Sequence, residues 1–148
     1  MLRGRGIYLA FANSKNITTL NLPEIMDEIH AYAFRNTNIY TVNIPETLQR
    51  LSSTAFQGSL IYTAYMDEQH SVYYDGCLLY HEPDYVVGTY HVKEGTRLIA
   101  SGVFSGDNKI YELVLPKARL AAQSASSSAT DIFTSSVAPA STPSKVKR

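Results

Sequence analysis

Polar and apolar residues alternate in short runs along this chain, and the runs recur. Thr19-Leu20-Asn21-Leu22 and Thr41-Val42-Asn43-Ile44 carry one pattern 22 residues apart. A period of two predicts a short strand with Leu20, Leu22, Val42 and Ile44 turned inward. Pro23 and Pro45 follow, and a residue without an N–H closes the strand. Ile29, Ala33 and Phe34, and again Leu51, Ala55 and Phe56, then bring a returning arm onto the same core. A unit this short cannot bury an apolar face alone, so the repeat predicts a solenoid with strands on one face and arms on the other.

The pattern extends to about four units. Ala10-Phe11, Ala33-Phe34, Ala55-Phe56 and Val103-Phe104 fill one position, and Leu22-Pro23, Ile44-Pro45 and Leu115-Pro116 fill another. From phenylalanine to the next proline is 12, 11 and 12 residues, a variation that a turn absorbs. Gly6 stands where Ile29 and Leu51 predict an apolar residue, so the first unit reads as degenerate. The fourth unit is split: Leu60 to Asp67 reads as its strand, with Thr63 and Tyr65 outward, but its phenylalanine arrives only at Phe104. In between, at about 68–89, Asp75-Gly76 sits between Val72-Tyr73-Tyr74 and Cys77-Leu78-Leu79-Tyr80. Aspartate-glycine supplies positive φ between β-formers, which predicts an inserted β-hairpin.

Composition then divides the chain. Over 121–148, 19 of 28 positions are Ala, Ser, Thr or Pro, too little apolar surface to offset the entropy of ordering. The expected organisation is a repeat domain at 1–120 and a disordered tail at 121–148. Exposed core at a solenoid's ends needs caps, or else predicts end-to-end self-association.

Charge and chemistry narrow the function. Lys plus Arg and Asp plus Glu both number 13, without a basic run in the repeat region, so no nucleic-acid partner is expected. The apolar stretch near the start ends at Asn13, too short for a secretory signal, and no run approaches the ~20 residues of a membrane span. His30, His70, His81 and His91 are scattered without metal-ligand spacing. Cys77, the single cysteine, lies in an alternating strand near Asp75, a setting for packing and not for a reactive thiol. No catalytic set, metal site or cofactor is expected.

The outward strand positions are the candidate binding residues. Thr19, Thr41, Thr63 and Glu112 form one expected row, and Asn21, Asn43, Tyr65 and His91, continuing to Val114, a second. Repeated Thr and Asn present donors and acceptors without burying charge. Seven of the 11 tyrosines, from Tyr62 to Tyr90, cluster around the insertion, some expected beneath the hairpin and some at a contact surface.

These residues resemble a known family. Ala10 to Pro23 looks like the junction between units of the BspA-like, or treponemal-type, leucine-rich repeats. Tyr74-Asp75-Gly76-Cys77-Leu78-Leu79-Tyr80 followed by Val92-Lys93-Glu94-Gly95 is similar to the hairpin and arm that interrupt such proteins, with Lys93 in place of proline. The resemblance implies a right-handed solenoid used as a non-catalytic protein-interaction surface, at the cell surface or secreted, with adhesion a common role. An intracellular scaffold is the alternative.

Overall fold

A computed structural model describes Gly6, Ile7 and residues 9–117; the tail expected over 121–148 lies outside the described residues. The short strands stack in parallel at the repeat spacing. β2 (Thr19–Asn21) pairs with β4 (Thr41–Asn43) in the register Thr19 to Thr41, Leu20 to Val42 and Asn21 to Asn43. The arms form a second parallel ladder of β1 (Gly6–Ile7), β3 (Glu28–Ile29) and β5 (Arg50–Leu51). Here Ile7, and not Gly6, stands opposite Ile29, which in turn faces Leu51. The first arm is one residue closer to its phenylalanine, and the intervening turn takes up the difference.

The turns carry a ladder of their own. The Phe11 amide donates to the Ala33 carbonyl (3.1 Å) and Asn13 to Arg35 (2.7 Å). One unit on, Phe34 donates to Ala55 and Asn36 to Gln57, both at 2.8 Å. Beneath this backbone ladder the rings stack, Phe11 to Phe34 at 5.5 Å and Phe34 to Phe56 at 5.4 Å. Two residues after each phenylalanine the backbone is left-handed, at Asn13, Asn36, Gly58 and Gly106, residue types that tolerate that region. The next position buries a hydroxyl at Thr37 and Ser59; both donate to the Phe34 carbonyl (2.9 and 2.6 Å), so neither goes unsatisfied.

At the next unit the expected strand gives way to a helix, α1 (Leu60–Ala64). The Ile61 amide still reaches the preceding unit through the Ile39 carbonyl (2.8 Å), but Tyr62 is buried and Ala64 exposed. In the strand register Ala64 would take the inward place of Val42. Burying Tyr62 removes far more apolar surface from water than burying a methyl group, and Ala favours helix.

The insertion follows. β6 (Ser71–Tyr74) and β7 (Cys77–His81) run antiparallel across Asp75-Gly76. β7 pairs in parallel with β9 (Leu98–Ile99), and a bridge from Ser52 to Ser101 joins that arm to the one before it. β8 (Gly88–His91) pairs in parallel with β10 (Ile110–Val114) as a separate two-stranded sheet. The buried Arg97 guanidinium ties these parts together, donating to the carbonyls of Ile44 (3.0 Å), Pro45 (3.4 Å) and Asp75 (3.2 Å). Cys77, at the start of β7, is fully buried, and burial pushes its thiol up to about 12. Among the described residues no helix is long and apolar enough to cross a membrane.

Candidate functional site

The β2–β4 pair presents one small exposed face. Leu20 and Val42 turn toward the core, so Thr19, Asn21, Thr41 and Asn43 turn out. Their roles differ. The Asn43 carboxamide accepts from the Leu22 amide (2.7 Å) and donates to the Leu22 carbonyl (3.2 Å), pinning the chain where β2 ends. Asn21, Thr19 and Thr41 have no side-chain hydrogen bond among the described residues. At the far edge, the Tyr74 hydroxyl accepts from the Val42 amide (3.0 Å), and Tyr65 meets the Tyr74 ring edge-on at 4.8 Å. Tyr65 therefore borders the face by way of Tyr74, although among the described residues no third strand joins β2 and β4.

The remaining candidates lie elsewhere. Thr63 sits on α1, its hydroxyl donating to the Leu60 carbonyl (3.0 Å), so the expected third threonine of the row is absent. His91 and Glu112 are exposed on the β8–β10 sheet, opposite Val114 and Thr89. Because α1 and the hairpin intervene, the two expected rows become two separate patches. Tyr40, next to Thr41, is about half exposed, and the alternation did not single it out.

A family model for the BspA type leucine-rich repeat region matches residues 8–130 in six copies. The chain belongs to the BspA-type leucine-rich repeat family. Where spacing gave about four units, the family pattern counts six. No curated protein and no solved structure matches the chain. BspA-type repeats generally mediate protein–protein interaction, are typically non-catalytic and are often surface-associated.

This BspA-type chain also encloses a polar network that its scattered histidines did not suggest. Ser71 stands opposite His81 on the hairpin, with its hydroxyl 2.9 Å from His81 Nδ1. The Tyr90 hydroxyl donates to Ser71 (2.7 Å) and lies 3.0 Å from the Tyr73 hydroxyl. On the other side, His81 Nε2 lies 3.3 Å from Asp107 Oδ2 without forming a hydrogen bond. Burial pushes His81 below the usual histidine value, against the pull of Asp107. Burial also works against ionisation of Asp107, but the amides of Lys109, Asp84 and Ile110 outweigh it and hold that carboxyl low.

Serine, histidine and aspartate are thus in line, yet Ser71 is fully buried with its hydroxyl held between Tyr90 and His81, while His81, also buried, borders an open cleft beside Tyr80 and Pro83. The network stitches the hairpin to the fourth phenylalanine turn. A fold about Asp75-Gly76 sets Tyr74 against Cys77 and Tyr73 against Leu78, and a bulge at Leu79 then moves the partner of Ser71 from Tyr80 to His81; only the hairpin itself is a signal available in the sequence. The approach of Asp107 is not. Among the described residues no group of three or more His, Cys, Asp or Glu could hold a metal ion.

Proposed function

We propose that this chain is a non-catalytic protein-binding module whose partner docks on the β2–β4 face, in a cell-surface or adhesion-type role. One observation carries the reading: Thr19 beside Thr41 and Asn21 beside Asn43 stand exposed in matched pairs. Uncharged donors and acceptors at this density can be buried against a partner without a large desolvation cost. Tyr40 and Tyr65, both partly exposed, add aromatic contact area at low rotamer cost. The surface association common in the family supports the location.

Two experiments test the reading. Proteins captured from host or neighbouring-cell extracts are compared between the native chain and an Asn21→Glu/Thr41→Glu variant. Loss of the captured proteins with an unchanged Tm supports the face; undiminished capture removes it. Protease shaving of intact source cells addresses location. Loss of the chain with a cytosolic control intact supports an external role, whereas protection until lysis replaces it with an intracellular scaffold.

A further inference from the structure

The ladder of turns breaks between the third and fourth units, and an open cleft of about 480 Å³ lies at the break. At both earlier junctions, two matching amides of one turn meet two carbonyls of the next, and at the second the Tyr32 amide adds a third bond to the Thr54 carbonyl. The corresponding groups here are the amides of Phe56 and Gly58 and the carbonyls of Val103 and Ser105. The Ser53 amide still reaches the Ser101 carbonyl (3.0 Å). Beyond that, no backbone hydrogen bond joins 54–58 to 102–106 among the described residues. The Thr54 amide turns instead to the Ser52 hydroxyl (3.2 Å).

Side chains fill the core side of this gap. The Tyr62 hydroxyl donates to the Ser53 carbonyl and lies against the Phe56 amide, and its ring stacks on Tyr80 at 5.2 Å. The outer side is left with the Gly58 amide and the Val103 and Ser105 carbonyls, and all three residues line the cleft. Their counterparts Asn36, Ala55 and Gln57 are all paired. Gly58 and Ser105 are exposed and meet water in the free chain, so a partner that covers this edge has to replace that water with its own main-chain groups.

We propose that this cleft binds a short extended segment of uncharged polypeptide with small side chains, supplied by a partner, which completes the missing rung. One of its carbonyls accepts from Gly58, and its amides donate to Val103 and Ser105. The volume falls within the range of small-ligand sites. No Asp, Glu, Lys or Arg lines the cleft, and its one histidine, His81, is buried and pushed below the usual histidine value by that burial, so the lining is uncharged at neutral pH. Tyr62 and Tyr80 already fill the core side of the gap, so what remains for an occupant is the backbone edge. This is recognition by addition to an open backbone edge, and it does not depend on the β2–β4 face.

The test uses the full chain labelled with nitrogen-15 and the capped hexapeptide acetyl-Ala-Ser-Ala-Ser-Ala-Ser-amide as probe. At millimolar peptide, the expected result is amide shifts at Gly58 and around Val103 to Ser105, with Gly58 hydrogen exchange slowed by roughly tenfold. A Ser105→Trp variant, which fills the cleft from an exposed position, abolishes both effects at unchanged Tm. Three results overturn the proposal: no shifts, shifts confined to Thr19 and Thr41, or undiminished binding by Ser105→Trp. Slow Gly58 exchange in the free chain, released by truncation after Lys117, overturns it too, because the chain's own segment then occupies the cleft.

Discussion

The Asn36 carboxamide fills the space that a side chain at position 58 would need: a β-carbon on Gly58 would lie 2.2 Å from Asn36 Oδ1. Gly58 also has φ +76°, a left-handed backbone that other residues adopt at a cost. Gly58→Ala is expected to destabilise the protein by about 2–4 kcal/mol through clash and strain together. In urea unfolding, Gly58→Ala combined with Asn36→Ser should be less destabilised than the sum of the single changes, because the shorter side chain removes the clash. Strict additivity would show that the two side chains do not compete.

Phe34 lies between two stacked rings and has no exposed surface, whereas Phe11 at the end of the stack is 39% exposed. Phe34→Ala should therefore cost about 3–5 kcal/mol and Phe11→Ala clearly less. Equal losses in chemical denaturation would mean that stacking position does not matter.

Asn21 and Asn43 are neighbours of the same type with different duties. Removing the Asn43 carboxamide leaves the amide and carbonyl of Leu22 without their partners, so Asn43→Ala should lower stability by about 1–2 kcal/mol. Asn21→Ala should stay within about 0.5 kcal/mol of the native protein. Thermal unfolding of the two variants separates anchoring from display. For the same reason, a binding test that alters Asn43 would confuse folding with recognition.

His81 makes stability fall in mild acid. Its value in the folded protein lies below the ordinary 6.5, so as pH drops through about 6.5 the unfolded chain takes up a proton that the buried ring does not. Folding then weakens until the pH reaches the folded value. Asp107, held below 3.8, adds a second loss only in stronger acid, when the unfolded carboxyl protonates first. Urea midpoints should fall between about pH 7.5 and pH 5.5, and His81→Gln should flatten that slope. A slope unchanged by His81→Gln would assign it to other groups.

Where the same side chains recur at one spacing, the structure was readable in advance. Leu20 over Val42, Ile29 over Leu51 and Phe34 over Phe56 follow from the repeat, because each unit buries its apolar residues only against the next. The fourth unit was not readable. Thr63 matches Thr41 in type and place, but α1 is decided by whether Tyr62 or Ala64 takes the core, a choice made by packing. The hairpin follows from Asp75-Gly76, but Ser71 meets His81 instead of Tyr80 only through a bulge, and Asp107 reaches them from a turn that local pattern cannot place. Asn43 matched Asn21 in pattern and was equally a candidate for binding; only its bonds to Leu22 reveal a second use.

Stacked repeats usually interact with their immediate neighbours alone, which lets an array fray from its ends one unit at a time. Arg97 works against that freedom. Its guanidinium spans more than 50 residues to grip Ile44 and Pro45 while also holding Asp75. The hairpin turn, the fourth arm and the second strand end therefore share a single fastening. Loss of any one of them strips an acceptor from a buried cation, which couples the early units to the insertion.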